Sequence, residues 1–405
     1  MIISFRFKNF RSFPDETFMD MKAVNYNEHP GHLFSSGSQE LLKTLAVYGN
    51  GASGKTNLFL ALASFHSFVF WQLFSLKTFP QNHFMSLLKL RKMNRIIPFQ
   101  ANGAGLRPTE MELSFLSGGR VYEFGFTVCG QEILSEYLNA DHHVVYMRTA
   151  RELSIGPRYE KTLCQKVNLR PHDSRLFCCA LSYLDIPEIR EIMGPFESFF
   201  SGQILYHFDI LESFRVLENT GDEESIYKLL ENPDALGFGL EQLRKIGIPA
   251  EDFLIERGIP MLGYRIKSRT TGQYQIQYMD FTEVSAGTVK YLSLFIKIYE
   301  LQQRGGVLVL DNISSEFQTS VMKSVVDFFQ QENGKNMQLI FSTCDSSVLN
   351  DRQFRRDEVA FVDMNEYQES RLYTMADIRL KSEAGFPGNY FLEKYGTVPL
   401  VKDYC

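Results

Sequence analysis

Alternating apolar and polar residues predict an antiparallel sheet in the first third of the chain. Residues 2–13 alternate as a half-buried strand does before they end in a basic turn. Residues 110–128 alternate on both sides of a Ser-Gly-Gly turn, which predicts a hairpin, and residues 132–138 extend it as a third strand. The apolar side of the first strand consists of Ile3, Phe5 and Phe7.

The hydrophobic pattern changes to a helical spacing between about residues 150 and 260. Helices are predicted over 174–183, 188–199, 224–230 and 240–246. Apolar heptads are not sustained in this part of the sequence, which argues against a long coiled-coil arm. The pattern therefore predicts a compact helical insertion between the two halves of one domain.

Beyond residue 262, short apolar runs alternate with amphipathic stretches. Strands are predicted over 263–266, 274–279, 307–310, 337–343 and 358–362. One helix is predicted to follow Ser285, a residue type that is favoured at the N-cap, and another is predicted over 319–331.

The strongest chemical signal lies between a short apolar strand and an apolar helix. The sequence there reads G-x-x-x-x-G-K-[ST], in the strand–loop–helix context that a phosphate-binding loop requires. Glycines permit backbone conformations that would strain other residues, and loop N–H groups converge with the helix N-terminus on the phosphates. We predict that a nucleoside triphosphate binds to Gly49, Asn50, Gly51, Ala52, Ser53, Gly54, Lys55, Thr56 and Asn57.

Three further residues complete the site that the sequence predicts. Lys55 supplies a charge for the β- and γ-phosphates, and the hydroxyl of Thr56 is placed to bind Mg²⁺. The strand at 307–310 ends in Asp311, as a Walker B element does when its carboxylate holds Mg²⁺ opposite Thr56. Arg11 or Lys8, in the strand and basic turn at 2–13, is a candidate nucleotide contact; the alternative is an edge strand with solvated charges.

Composition narrows the class of protein. The chain has 405 residues, of which 44% are hydrophobic and 22% charged, so it can bury a large core. The net charge of −6 gives no global basic field for nucleic acid. Six cysteines without a C-x-x-C pair indicate neither a disulfide framework nor a zinc ribbon, so a reducing cytoplasm is expected.

The apolar run 58–76 contains polar residues and begins directly after the phosphate-binding loop, so we expect a buried helix rather than a membrane span.

The order of these motifs resembles the ABC-type ATPase heads of the RecF, structural-maintenance-of-chromosomes and overcoming-lysogenisation-defect group. More closely, the chain resembles the bacterial AAA-type ATPases of abortive-infection and restriction-linked loci, such as RloA-type proteins. The closer resemblance is carried, in order, by Y-G-N-G-A-S-G-K-T-N, E-V-S-A-G-T, N-M-Q-L-I-F-S-T, R-R-D-E-V-A-F-V-D and Y-G-T-V-P.

The resemblance implies an α/β fold, namely an ABC-type P-loop ATPase head with a mixed β-sheet and a helical insertion domain. Under this hypothesis residues 1–140 are the N-terminal ATPase lobe, 141–262 the helical insertion and 263–405 the C-terminal lobe. In such heads a glutamine after an apolar strand often senses Mg²⁺, and the corresponding residue here is Gln100, which follows 95–99.

The resemblance also implies a homodimer, or a higher oligomer, with ATP and Mg²⁺ held between subunits. Ser285, Gly287 and Thr288 of one subunit would cap the γ-phosphate that Lys55 of the other subunit holds. This is physically reasonable, because the exposed N–H groups of a helix N-terminus form an anion site. The alternative is a well-capped helix without a role in binding.

Two positions depart from the family pattern. The family usually follows the Walker B aspartate with a glutamate that orients the attacking water, and this position is Asn312. The usual switch histidine is Cys344. An amide cannot accept a proton from water as a carboxylate does, so we expect ATP to be bound but hydrolysed slowly or not at all. Glu316, one helical turn onward, is a candidate substitute, and Asp345 is a weaker one.

The resemblance implies a cytoplasmic sensor or scaffold in anti-phage defence that contacts a phage protein and works with a separate effector, a nuclease or a toxin. The alternative is a DNA-associated ATPase of repair or restriction, for which the basic clusters at 89–95 and 352–356 are candidates, although solvated faces are the commoner interpretation. A self-contained nuclease is disfavoured, because no Asp-x-Asp pair follows the strand at 337–343. No membrane contact is expected.

Overall fold

The structure is a computed structural model, and its strands and helices are numbered here in chain order. It describes residues 1–26, 28–36, 39–74, 95–164, 174–207, 232–257, 259–331, 336–348 and 353–377. The strands are β1 (Ile2–Lys8), β2 (Thr17–Asp20), β3 (Leu33–Ser36), β4 (Gln39–Leu42), β5 (Thr44–Tyr48), β6 (Thr109–Ser117), β7 (Arg120–Cys129), β8 (Glu132–Ala140), β9 (His143–Thr149), β10 (Leu153–Ile155), β11 (Ile204–His207), β12 (Ala250–Glu256), β13 (Ile259–Lys267), β14 (Tyr274–Asp280), β15 (Gly306–Leu310), β16 (Met337–Thr343), β17 (Val359–Met364) and β18 (Ser370–Thr374). The helices are α1 (Lys55–Phe74), α2 (Glu160–Cys164), α3 (Phe177–Ser182), α4 (Pro187–Gly202), α5 (Pro233–Lys245), α6 (Ala286–Arg304), α7 (Ile313–Glu316) and α8 (Thr319–Gln331).

A six-stranded mixed sheet carries the predicted phosphate-binding loop. Its strand order is β11-β15-β16-β5-β17-β18, in which the first five strands are parallel and β18 pairs antiparallel with β17. Every residue of β5, β15 and β16 is buried, as expected when helices or a second sheet cover both faces of a parallel sheet. The predicted α/β fold with a mixed β-sheet is confirmed.

Two apolar cores lie on the two faces of this sheet. Val307 and Val309 of β15 belong to the core that contains α1 and α4. Leu308 and Leu310 of the same strand belong to the core that contains α6 and α8. The alternation of strand side chains thus places β15 between the two cores.

A seven-stranded antiparallel sheet, in the order β10-β9-β8-β7-β6-β1-β2, packs on the first core. The predicted β6–β7 hairpin is confirmed, and its turn residues Gly118 and Gly119 take positive φ angles of 56° and 77°. β1 pairs with both β2 and β6, so the interpretation of β1 as an edge strand is wrong.

The apolar side of β1 also differs from the predicted one. The register with β6 shifts between Ile2 and Ser4. As a result Ile2 shares the main core with Phe5 and Phe7, whereas Ile3 belongs to a small separate cluster. A register irregularity of this kind changes the face on which a side chain lies, and simple alternation cannot reveal it.

Helix α1 fills the space beside the parallel sheet. Its 20 residues are long and apolar enough to cross a membrane by length and composition, yet 78% of the apolar window is buried inside the protein. Phe65 of α1 lies 5.1 Å from Phe126 of β7 and 5.7 Å from Phe5 of β1, measured between ring centroids. α1 therefore packs as the buried core helix that the sequence predicts.

The part of the chain between 141 and 262 is less helical than predicted. It contains α2 to α5, but β9 and β10 extend the seven-stranded sheet, and β11 pairs with β15. The boundary proposed at residue 262 falls inside β13, which joins β12 and β14 in a three-stranded sheet. The predicted helix at 224–230 lies outside the described residues. The helical segments are therefore interleaved with the sheets, and the three-part division stays a prediction.

Candidate nucleotide-binding site

The predicted phosphate-binding loop connects β5 to α1 at the carboxyl edge of the parallel sheet. A Cβ atom on Gly49 would collide with the carbonyl oxygen of Val362, so this position admits only glycine. Gly54 has a φ of +107°, and a Cβ atom there would collide with the hydroxyl of Ser370. Ala52 takes a left-handed φ of 63°, which is uncommon for a residue with a Cβ and typical of strained loops at binding sites.

The ammonium group of Lys55 is held by the loop itself. Its Nζ donates hydrogen bonds of 2.7 Å to the carbonyl oxygens of Gly49 and Asn50. Burial lowers the pKa of Lys55, and the nearby groups of Cys344 and Asp311 partly oppose this shift. A desolvated cation is stabilised further when an anion binds beside it, because the charged form then gains a partner.

Thr56 and Asp311 meet although they lie 255 positions apart in the sequence. The hydroxyl of Thr56 donates a hydrogen bond of 2.7 Å to Oδ2 of Asp311, and Ser342 donates one of 2.6 Å to Oδ1. Asp311 is buried, with 5% of its surface exposed. A hydroxyl and a carboxylate in contact beside a phosphate-binding loop are the two protein groups that an octahedral Mg²⁺ needs, since water and phosphate oxygens supply the rest.

Ser342 is a site residue that the sequence analysis missed. Besides its bond to Asp311, its Oγ accepts a hydrogen bond of 2.8 Å from the backbone N–H of Asn312. Ser342 lies on β16, between β15 and β5, so it holds the end of the Walker B strand in register with the loop. The only sequence signal was a polar residue at the end of a buried apolar run.

Asn312 and Cys344 lie at the edge of the site. Asn312 has a left-handed backbone, with φ 52° and ψ 49°, a conformation that asparagine adopts more readily than glutamate. Cys344 is exposed, and its Sγ lies 3.2 Å from the hydroxyl of Ser314. Glu316 is the last residue of α7, and its side chain lies outside what the structure describes.

The carboxylate of Asp345 is already hydrogen-bonded to neighbouring residues. Its carboxylate accepts hydrogen bonds from Thr319 and from the backbone of Ser347. Burial tends to raise the pKa of Asp345, but the hydrogen bonds from Ser347 and Thr319 outweigh burial and lower it. A carboxylate used in this way is poorly placed to replace the missing glutamate as a base.

The turn before α6 is open to solvent. Ser285 occupies the predicted N-cap position and is exposed, but its side chain makes no capping hydrogen bond, contrary to expectation. Gly287 is partly exposed and Thr288 is buried. Among the described residues, no hydrogen bond joins this turn to the phosphate-binding loop of the same chain.

Arg11 lies beside the loop through its neighbour Ser12, whose Oγ accepts a hydrogen bond of 2.9 Å from Asn57. Burial lowers the pKa of Arg11, and its Nε has no hydrogen-bond partner among the described residues. The backbone N–H of Arg11 donates to the carbonyl of Ile97. A half-buried guanidinium with an unused N–H group is consistent with the predicted nucleotide contact.

Gln100 is less well placed than the sequence suggests. The segment 95–100 is irregular, so the strand predicted at 95–99 is absent. The side chain of Gln100 is exposed and donates to the carbonyl of Pro98 in its own loop, 2.7 Å away. Contact between Gln100 and Mg²⁺ stays a prediction.

The described part of the basic cluster at 352–356 is engaged within the protein. Arg355 is completely buried, where it binds Asp357 and backbone carbonyls, and Arg356 pairs with Glu28 at 3.0 Å. Arg352 and most of the cluster at 89–95 lie outside the described residues. The described part of 352–356 therefore joins segments of the chain to one another.

Comparisons with known proteins concern the fold alone. No family model matches the chain, and no curated protein matches it. The chain is similar to the SMC head domain from Thermotoga maritima, with 12% identity and a TM-score of 0.43, over 94% of this chain and 99% of that one. It is also similar to the SmcHead bound to the C-winged helix domain of ScpA, with 13% identity and a TM-score of 0.45, over 94% and 98% of the two chains.

The position of Ser342 leads to a prediction about Mg²⁺. Ser342→Ala removes one of the two hydroxyls that orient Asp311, so we expect Mg²⁺-ATP to bind about tenfold more weakly. Binding of ATP in the presence of EDTA should be nearly unchanged. Titration calorimetry under both conditions measures this, with Ser117→Ala as the control, because Ser117 is a buried serine of the seven-stranded sheet that donates to the carbonyl of Pro195 in α4. An equal loss with and without Mg²⁺ would contradict a metal-orienting role.

Proposed function

We propose that this protein is an ABC-type ATP-binding module that dimerises around Mg²⁺-ATP and hydrolyses it slowly or not at all. The observation that carries this proposal is the contact between Thr56 and Asp311 beside the buried ammonium of Lys55. In this proposal Lys55 binds the phosphates, while Thr56 and Asp311 hold Mg²⁺.

A second copy of the chain completes the site in this proposal. α6 is a helix of 19 residues whose first N–H groups begin at an exposed turn, where Ser285 caps nothing. Free N–H groups at a helix N-terminus attract an anion. The γ-phosphate held by Lys55 of one subunit is an anion of the right kind, so ATP acts as a latch between two copies.

Slow hydrolysis of the bound ATP is inferred from the residues at the usual catalytic positions. A neutral amide at Asn312 cannot take a proton from water, and the thiol of Cys344 is a weak hydrogen-bond donor. Binding groups are thus complete while the base is missing, which favours long-lived ATP over rapid turnover.

The biological role that we propose is that of a cytoplasmic sensor or scaffold in anti-phage defence, with a separate nuclease or toxin as effector and a phage component as the trigger. The order of sequence motifs supports this role. The genes adjacent to this one provide a direct test, since a nuclease or toxin gene is expected among them.

The dimer is tested by sedimentation velocity with ATP and Mg²⁺. Wild-type protein should dimerise with nucleotide, and Lys55→Ala should bind ATP roughly 10–100-fold more weakly and stay monomeric. Ser285→Arg should still bind ATP but fail to dimerise, because the exposed turn tolerates the change while the bulky side chain blocks the interface. Ser285→Ala, which adds no bulk, is the matched control. Wild-type protein that binds ATP and remains monomeric would refute the hypothesis that ATP joins two subunits.

The hypothesis that the site lacks a general base is tested by introducing one at Asn312. Asn312→Glu combined with Cys344→His should raise ATP turnover by about 100-fold, since general bases contribute on that order. Asn312→Gln with Cys344→His is the matched control, because glutamine has the size of glutamate without its basicity. Phosphate release under saturating ATP is the measurement. Rapid wild-type turnover that survives Glu316→Ala would show that the site already holds another base.

A second function, association with nucleic acid, is favoured by the hairpin of β13 and β14. Tyr274 is 61% exposed, and the charged groups of Arg265 and Lys267 lie 4.5 and 5.9 Å from its ring centroid. Residues 259–279 contain no aspartate or glutamate, although Glu251 of β12 lies 3.8 Å from Arg265. Cations around an exposed aromatic ring suit the phosphates and stacked bases of a single strand.

This alternative is tested by fluorescence anisotropy with a labelled single-stranded oligonucleotide. Lys267→Ala with Tyr274→Ala should weaken binding by about tenfold or more, because it removes a stacking surface and a phosphate contact. Tyr367→Ala is the control, since Tyr367 is 67% exposed on a different turn. Equal affinity of the double variant and the wild type would exclude this surface.

A further inference from the structure

Two serines from opposite ends of the sequence meet beside the phosphate-binding loop. Ser12 lies in the turn after β1, and Ser370 is the first residue of β18, 358 positions later. The backbone N–H of Ser370 donates to the carbonyl of Ser12 over 2.7 Å, and their Oγ atoms lie 2.8 Å apart. Sequence analysis singled out neither residue.

The hydroxyl of Ser370 faces two acceptors. Its Oγ lies 2.8 Å from the carbonyl oxygen of Ser53 and 2.8 Å from Oγ of Ser12, and Ser370 is the donor in both contacts. A hydroxyl has a single proton, so Ser370 shares it between these two oxygens. Ser12 also accepts a hydrogen bond from the side-chain amide of Asn57. The result is a chain of contacts from Asn57 through Ser12 and Ser370 to Ser53.

This chain closes a ring around the part of the loop that holds phosphate. Its two ends, Asn57 and Ser53, flank Gly54, Lys55 and Thr56. The hydroxyls of Ser370 and Ser12 occupy the space that a Cβ atom on Gly54 would need. The segment 53–57 is therefore held by side chains from two other parts of the sequence, Ser12 and Ser370.

We propose that Ser12 and Ser370 are positioning residues that hold the segment 53–57 in its phosphate-binding conformation. This inference rests on the proposed function, since it concerns the same site. When a triphosphate draws Lys55 away from the carbonyls of Gly49 and Asn50, the serine chain keeps the second half of the loop in place. It also joins the loop to the turn that carries Arg11 and to the β17–β18 hairpin.

A purely structural role for Ser12 and Ser370, as a contact between the turn after β1 and β18, leads to a different prediction. If the serines only connected these strands, their loss would lower the melting temperature of the nucleotide-free protein and leave ATP affinity unchanged. If they position the loop, their loss weakens ATP binding and shrinks the rise in melting temperature that ATP produces. The two measurements together separate the two roles.

The experiment compares Ser12→Ala, Ser370→Ala and the double variant by titration calorimetry with Mg²⁺-ATP and by thermal melting with and without ATP. Each single variant should bind ATP about tenfold more weakly. The double variant should be no weaker than the worse single variant by more than about twofold, because either change breaks the same chain. Ser12→Thr, which keeps a hydroxyl at a partly exposed position, should restore most of the affinity.

Two controls make the outcome decisive. Ser117→Ala also removes a buried serine hydroxyl, yet it lies in the seven-stranded sheet and should leave ATP affinity unchanged. Wild-type protein that binds ATP no better than Lys55→Ala overturns the proposed function and this inference with it. Wild-type protein that binds ATP with the same affinity as Ser12→Ala and Ser370→Ala overturns this inference alone.

Discussion

The parallel alignment of β5, β16 and β15 is the constraint on which the site depends. Because these strands point the same way and pair in register, their carboxyl ends lie at one edge of the sheet. Thr343 is opposite Tyr48, and Leu310 is opposite Phe341, so the residues that follow each strand must meet. The loop, Ser342 and Asp311 come together for this reason, although nothing in their local sequences requires it.

The site contains opposite charges that are each held by hydrogen bonds. Lys55 donates to two backbone carbonyls, and Asp311 accepts from two hydroxyls. Burying an ion costs free energy unless hydrogen bonds and an opposite charge compensate. Hydrogen bonds supply the first compensation here, and Asp311 opposes part of the effect of burial on Lys55. In the proposed function, Mg²⁺-ATP adds a charge of opposite sign beside each of these groups.

The backbone after the Walker B strand agrees with the residues that occupy it. A left-handed conformation suits Asn312, and the N–H group of that residue is held by Ser342. Cys344 contacts Ser314 across the same corner. An amide, a hydroxyl and a thiol thus occupy this corner, next to the carboxylates of Asp311 and Asp345.

The sequence alone determined the elements and groups that depend on neighbours along the chain. The strand–loop–helix around Lys55, the β6–β7 hairpin with its two glycines and the strand that ends at Asp311 were all readable, because local periodicity and turn chemistry fix them. Only the tertiary structure decided that β1 is an interior strand, that Ser342 orients Asp311, and that Ser12 and Ser370 join beside the loop. These features arise from sheet order and long-range pairing, and residues hundreds of positions apart leave no periodic signal of their contact.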